Sequence, residues 1–329
     1  MSTFDANTTR IYGLDSLISE VPNLLGFVPA DSLVLLCFEH GGENPASAPV
    51  TVRIDLPPAE MCRMLVSYLV PQVVNKVQAE LVIALVVGGD QSEQRELVNE
   101  LEADSRRHGI ELHAMWTPEL QAGNKWICYQ DAACMGFVHD TSASPLAAAT
   151  AAAGFHTYGS REEIAETIAP VSDAERAEVQ RQLEDWQLRT RPAESLRAAA
   201  APVFAAMERL RAGESLENEQ VVAALGAVNG DVRVRDLMFT IHDTVAEQLW
   251  TILLRKAPDA YVADVAVLFA VGAQLRGDGG LANVAVERAL AASPEHPLAT
   301  MLEQVLQLPP QELRRIIDDV ASEPGLQLD

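Results

Sequence analysis

The chain has 329 residues, 48% of them hydrophobic but only 5% aromatic, and a formal net charge of −23. That length allows two domains at roughly 150 residues each, with enough apolar material to bury real cores. So acidic a surface repels phosphate backbones and anionic lipid headgroups, which argues against nucleic-acid and membrane partners; the opening MSTFDANTTRIYG has neither a basic nor an apolar leader region, and no apolar run reaches roughly 18 residues, so a soluble cytoplasmic protein with reduced thiols is expected.

In chain order, DSLISEVPN (15–23) predicts a short helix with Asp15 as N-cap, Leu17, Ile18 and Val21 on one face, and Pro22 as its end. SLVLLCFE (32–39) is a continuous apolar run of strand length, and VTVRIDL (50–56) alternates as a half-buried strand; HGGENPASAP between them is turn chemistry. Two strands so joined predict an antiparallel pair. PPAEMCRMLVSYLV (57–70) predicts a helix whose apolar stripe is Met61, Met64, Leu65, Tyr68 and Leu69. ELVIALVVGG (80–89) is a second buried strand. Residues 92–109 form a helix with Leu97, Val98 and Leu101 inward and Gly109 closing it. IELHAMWTP (110–118) and NKWICYQD (124–131) return as strands, so the front of the chain, residues 1–144, reads as an α/β or α+β sheet domain.

Beyond residue 145 the composition shifts toward alanine, and residues 145–329 read as an all-α helical region. SPLAAATAAAGF is a helix ending near Gly154. SREEIAETIAP pairs Ser160 with Glu163 in a capping-box pattern. Residues 172–192 form a charged helix closed by Pro192, with Leu183, Trp186 and Leu188 as its apolar contacts, and His242 reads as a helix residue. The end of the chain (260–322) breaks at RGDGG, SPEHP and PP into a helical-hairpin rhythm.

Two stretches together, NLLGFVPADSLVLL (23–36) and VRIDLPP (52–58), resemble an actinobacterial family of unknown function with an LLGFxPxDSLV motif. The likeness continues through KWICYQDAAC, SREEIAETIAP, DVRVRDLMF and the 276–306 segment, and so touches most of the chain in order. The resemblance implies an α/β front and a helical back, and no activity. After Trp126 this sequence keeps only Cys128 and Cys134 of the family's longer Cys and Pro cluster, so no metal site is carried over. Gly277, Ala282, Ala289 and Pro294 also resemble the small-residue and proline spacing of one tetratricopeptide unit. Ala266 and Ala273 stand where such a unit has large side chains, so a local helical hairpin is expected.

Candidate chemistry is sparse. Asp31 and Ser32 follow a Gly26–Pro29 turn, but they precede a strand, whereas ligands of open α/β sheets sit at strand carboxyl ends; the pair reads first as the entry to the core. Gly88, Gly89 and Asp90 lie between a strand and a helix, where a phosphate loop would sit, and read first as a turn. Cys128 and Cys134 are separated by five residues, wider than a zinc pair, with His139 and His156 as the remaining candidate ligands; no metal and no other cofactor is expected. Cys37 and Cys62 read as small buried hydrophobes. His113 is a candidate for the sheet's polar face, and Arg235 with Asp236, near Arg233, reads as a structural ion pair before a catalytic one. HExxH, GxSxG and GxxxxGK[ST] do not occur. The resulting expectation is a binding or scaffold protein that meets an unknown protein partner or a second copy of itself, with room for a small ligand in the α/β part; the alternative is a hydrolase or transferase whose site is assembled only by the fold.

Overall fold

A computed structural model describes residues 13–39, 49–71, 79–152, 154–306, 310–322 and 326. The turn expected over 40–48 lies outside these. The chain divides into two compact units, Met1–Arg161 and Glu162–Asp329.

The first unit is a six-stranded mixed sheet with helices on both faces. Its strands are β1 (Ser32–Glu39), β2 (Val50–Asp55), β3 (Ala79–Val87), β4 (Glu111–Thr117), β5 (Lys125–Cys128) and β6 (Met135–Phe137), in the order β2-β1-β3-β4-β5-β6. The β3–β4 pair is parallel and the other pairs are antiparallel. Alternation sorts the central side chains onto two cores. Leu33, Leu35 and Cys37 of β1 join Val82, Ala84 and Val86 of β3 under helices α2 (Cys62–Leu69) and α3 (Arg95–His108). Val34 and Leu36 join Ile83, Leu85 and Val87 under helix α1 (Gly13–Leu25). Because β1 and β3 are covered on both faces, their sequences read as unbroken apolar runs rather than alternating ones. Helix α4 (Pro145–Ala152) also belongs to this unit and packs on α1.

Three local expectations need correction. Pro22 lies inside α1 and is buried, and the helix runs on to Leu25. A proline removes one backbone donor and strains one turn; here tertiary contacts on both sides of it hold the helix. Asp15 does not cap α1 but sits within its first turn, where its Oδ1 accepts from Trp126 Nε1 at 2.6 Å and from the Phe137 amide at 3.2 Å. Of the stripe expected on α2, Leu69 is inward and Leu65 packs against the core, but Met61, Met64 and Tyr68 are exposed, and Cys62 and Val66 complete the inward face. Both faces of that helix are apolar in sequence, so periodicity alone cannot choose between them.

Buried polar contacts hold α1 in place. Glu20, only 3% exposed, accepts through Oε2 from Asn23 Nδ2 at 2.9 Å and from Ser144 Oγ at 2.7 Å. Asn23 Nδ2 also donates to the Thr141 carbonyl at 3.0 Å, and Asn23 Oδ1 accepts from Thr157 Oγ1 at 2.9 Å. Ser19 Oγ accepts from the His139 amide at 2.7 Å.

The described part of the second unit is helical throughout: α5 (Arg161–Thr167), α6 (Asp173–Arg189), α7 (Leu196–Arg211), α8 (Asn218–Gly230), α9 (Val232–Met238), α10 (Thr244–Lys256), α11 (Val262–Arg276), α12 (Gly279–Ala292), α13 (Pro297–Val305) and α14 (Pro310–Ala321). Helix α6 opens on a capping box between Ser172 and Glu175. Its inward residues are Val179 and Leu183. Trp186 packs over Gly226 of α8, where a Cβ would collide with the indole. Leu188 is 86% exposed, contrary to expectation, because it projects from the opposite side of the last turn. His242 lies in the link between α9 and α10, not in a helix; Asp243, one residue on, caps α10. Helices α11 and α12 form a hairpin, turned at Gly277 with φ 92° and packed through the fully buried Ala266, Ala273, Ala282 and Ala289. Among the described residues no helix is long and apolar enough to cross a membrane.

The face assigned to α2 is directly testable. Leu69→Ala removes a side chain from the core beneath α2 and is expected to cost about 2–4 kcal/mol in denaturant unfolding, whereas Met64→Ala on the exposed face should stay within about 0.5 kcal/mol.

Candidate functional site

The register of the sheet brings the ends of four strands to one edge. Ser32 at the start of β1 pairs with both Asp55 at the end of β2 and Val87 at the end of β3, and Val87 pairs with Thr117 at the end of β4. Since β1 runs against β3, its amino end lies beside the carboxyl ends of the parallel strands. The positional objection to Asp31 therefore does not apply: a residue before β1 stands where ligands of α/β sheets are bound.

A cleft of about 330 Å³ opens there, within the first unit. It is lined by Val28–Asp31 from the α1–β1 loop, Val87 and Gly88 from β3, Pro118–Gln121 after β4, and Gly159 with Ser160. Each wall is fixed by backbone bonds. Phe27 bridges Tyr158 in parallel, with Val28 N donating to Tyr158 O at 3.0 Å and Tyr158 N to Gly26 O at 2.8 Å. The Asp31 carbonyl accepts from Leu56 N at 2.9 Å. Thr117, buried, donates through Oγ1 to the Glu119 carbonyl at 2.9 Å and so bends the 118–121 loop into the wall.

Asp31 is the single described non-glycine residue with positive φ, at 42°. Such a conformation is costly for a side-chain-bearing residue and persists only where neighbours enforce it. The neighbour is Gly88, itself at φ 84°: a Cβ built there would lie 2.5 Å from Asp31 Oδ1 and 3.0 Å from its backbone nitrogen. Gly88 is held in turn by its amide donating to Thr117 O and by Trp116 Nε1 donating to its carbonyl, both at 3.0 Å. The glycine is needed so that the β3 end and the α1–β1 loop can touch.

Of the residues singled out in sequence, Asp31 and Gly88 come together in this cleft. Ser32 lies directly beneath it, fully buried, its hydroxyl donating to Ala30 O at 2.5 Å and accepting from Arg53 Nε at 2.8 Å. Its role there is to hold the loop. Gly89 and Asp90 are outside the lining: Gly89 packs near Leu56 and Gln94, and the Asp90 carboxylate accepts from the Ser92 hydroxyl and from its amide at 2.8 Å, bonds that, the hydroxyl's first, hold its pKa below the usual range. His113 is exposed on β4, its Nε2 3.0 Å from Glu111 Oε1, and is not part of the cleft. Arg235 and Asp236 belong to the second unit, where Arg235 Nη2 meets Asp236 Oδ1 at 2.8 Å and Arg235 Nη1 meets Asp264 Oδ1 at 3.0 Å. Asp264 is also 3.3 Å from His296 Nε2, so the arginine ties α9 to α11.

The cysteine pair closes the β5–β6 hairpin, with Cys128 N donating to Cys134 O at 3.0 Å. Burial and then the adjacent Cys128 hold the Cys134 thiol above its ordinary pKa. His139 is engaged through its amide with Ser19, and the His156 ring meets the Tyr158 ring edge-on at 4.9 Å. Among the described residues no group of three or more His, Cys, Asp or Glu side chains is placed to hold a metal ion. Cys37 and Cys62 are buried in the sheet core, and desolvation pushes the Cys37 thiol up to about 11.

Sequence reading missed Arg53, Glu119, Gln121 and Ser160 as parts of this region. Arg53 spans the underside of the loop, with Nε on Ser32 Oγ and Nη2 2.6 Å from Asp55 Oδ1. The available signal for Glu119 and Gln121 was position: TPELQ follows the strand that ends at Thr117, and a carboxyl-end loop of a parallel strand is where a site is sought.

The contact of Gly88 with Asp31 separates two glycine substitutions. Gly109→Ala meets open space and bears only the left-handed backbone penalty of about 1–2 kcal/mol. Gly88→Ala adds to the same penalty a collision with the Asp31 carboxylate, at 2.5 Å, and a tight approach to its backbone nitrogen, at 3.0 Å, and is expected to lose clearly more stability in chemical denaturation.

No curated protein and no solved structure matches the chain. A family model described as a domain of unknown function, DUF4192, matches residues 15–311, a span that takes in the motif around Gly26–Ser32, the whole sheet and the helices through α13. The chain belongs to the DUF4192 family.

Proposed function

We propose that this is a binding protein whose first unit takes a small polar ligand in the cleft between the α1–β1 loop, the end of β3 and the loop after β4. The observation that carries the reading is Asp31, held at φ 42° against Gly88 at the carboxyl ends of a parallel strand pair. Strain maintained by close packing at such a position fits a binding role better than a simple chain entry. The volume of about 330 Å³ suits a molecule of metabolite size. Asp31 and Glu119 in the lining favour a ligand that offers hydrogen-bond donors, such as an amine or a polyol, and disfavour an anionic group. The acidic surface leaves nucleic acid and membranes as poor partners. Four unpaired thiols suit a cytoplasmic setting.

A second reading, contact with a protein partner or a second copy, is favoured by one feature of α2. Met61, Met64 and Tyr68, at 43%, 61% and 65% exposure, share one helical face of the first unit.

Ligand-observed NMR against a panel of amines, amino acids and sugars tests the first reading. At least one compound should bind wild-type protein and bind about tenfold more weakly to Asp31→Asn or Glu119→Gln, both of which keep the shape of the wall. Binding that is indifferent to both substitutions, or a panel with no binder, removes the cleft reading.

A further inference from the structure

The second unit contains a cluster whose charge opposes that of the chain as a whole. Arg176 of α6, Arg255 in the last turn of α10 and Arg288 of α12 meet around the α10 carboxyl end. Val171 N donates to the Arg255 carbonyl at 2.9 Å, Arg255 Nε donates to Ala169 O at 3.2 Å, and Arg288 Nη2 donates to Leu254 O at 2.7 Å. Arg176 alone of the three has ion pairs among the described residues: Nη1 with Asp259 at 2.7 Å and Nη2 with Asp173 at 2.6 Å. Both of those carboxylates are largely exposed, at 80% and 94%.

Two N–H groups in the cluster are left without an acceptor: Arg176 Nε and Arg288 Nη1 are both buried and unpartnered. Burial, then the like charges of Arg176 and Arg255, lowers the Arg288 pKa to about 10, which Asp259 only partly offsets. Carboxylates are not scarce in a chain with 47 acidic and 24 basic residues. The carbonyl contacts explain one nitrogen each of Arg255 and Arg288 as helix-end caps. They do not explain why guanidinium groups gather with donors unused, since leaving a buried donor unsatisfied is destabilising.

We infer that Arg255 and Arg288, with Arg176 beside them, form a binding site for the phosphate or carboxylate group of a small molecule. The guanidinium fork matches both groups, and an oxyanion supplies the acceptors that the protein leaves out. Arg255 is exposed and Arg288 half-buried, so solvent reaches the site at Arg255, and Arg176 Nε and Arg288 Nη1, closed to solvent as they stand, are met when the guanidinium groups turn toward the bound group. The attraction is local, because at ordinary ionic strength the acidic surface beyond about 10 Å is screened. This site is separate from the cleft of the first unit and stands without it.

The test is isothermal titration calorimetry of the full chain with inorganic phosphate and, in a second arm, acetate, at ionic strength matched with chloride. Phosphate also raises stability non-specifically by exclusion from protein surfaces, so the criterion is a saturable heat at one site per chain. We expect such binding for phosphate, acetate or both, the stronger arm identifying the group. It should weaken about tenfold in Arg255→Ala and in Arg288→Lys, the latter retaining charge but not the fork, and persist in Arg181→Ala, a control on an exposed arginine of α6. Arg255 is exposed, so its variant decides the question even if Arg288→Lys does not fold. Absence of saturable heat in both arms, or an Arg255→Ala protein that binds as wild type does, overturns the inference and leaves Arg255 and Arg288 as helix caps beside an ion-paired Arg176.

Discussion

The antiparallel pairing of β1 with β3 is the constraint on which the first unit depends. Its register, Ser32 opposite Val87, does two things at once. It sorts alternate side chains of two apolar strands into cores on opposite faces of the sheet. It also delivers the chain entering β1 to the carboxyl ends of β3 and β4. A slip of one residue would turn Leu33, Leu35 and Cys37 to the other face and would separate Asp31 from Gly88. Core and cleft are thus set by the same ladder of hydrogen bonds, and the strain at Asp31 is supported by burial on both sides of that ladder.

The second unit solves a different packing problem. With few aromatic residues available, its helices come close through small side chains. Ala266, Ala270 and Ala273 of α11 and Ala282, Ala285 and Ala289 of α12 are fully buried, and Trp186 fills the space opened by Gly226. Close packing of this kind loses little side-chain entropy, since alanine has no rotamers to fix. It also leaves little room for error, because any larger residue at these sites must displace a backbone.

Much of the fold was legible in the sequence and much of the site was not, for a common physical reason. Periodicity and turn chemistry are local, and they identified the runs at 32–39, 50–56 and 80–87 as strands and the alanine-rich second half as helices. Strand direction is not local. Asp31 was set aside on the rule that sites lie at carboxyl ends, and only the pairing of β1 against β3 shows that the rule favours it. The exposed stripe of α2 was assigned inward because Met61, Met64 and Tyr68 fit a helical period as well as Cys62, Val66 and Leu69 do; the choice belongs to the layer beneath them. Pro22 was read as a stop because the residues that carry α1 past it, Ser144 and Thr157, lie more than a hundred positions away.

Those distant partners give α1 an addressing function. An apolar helix face slides on an apolar sheet at small cost, and many seats are nearly equivalent. Glu20 and Asn23 remove that degeneracy, since a rotation or a one-turn shift would leave a carboxylate and an amide in the core without donors or acceptors. The residues that receive α1, His139, Thr141, Ser144 and Thr157, then work as a lock cut for one key. Since α1 runs directly into the Gly26–Asp31 segment, choosing its seat also aims that segment at the sheet edge.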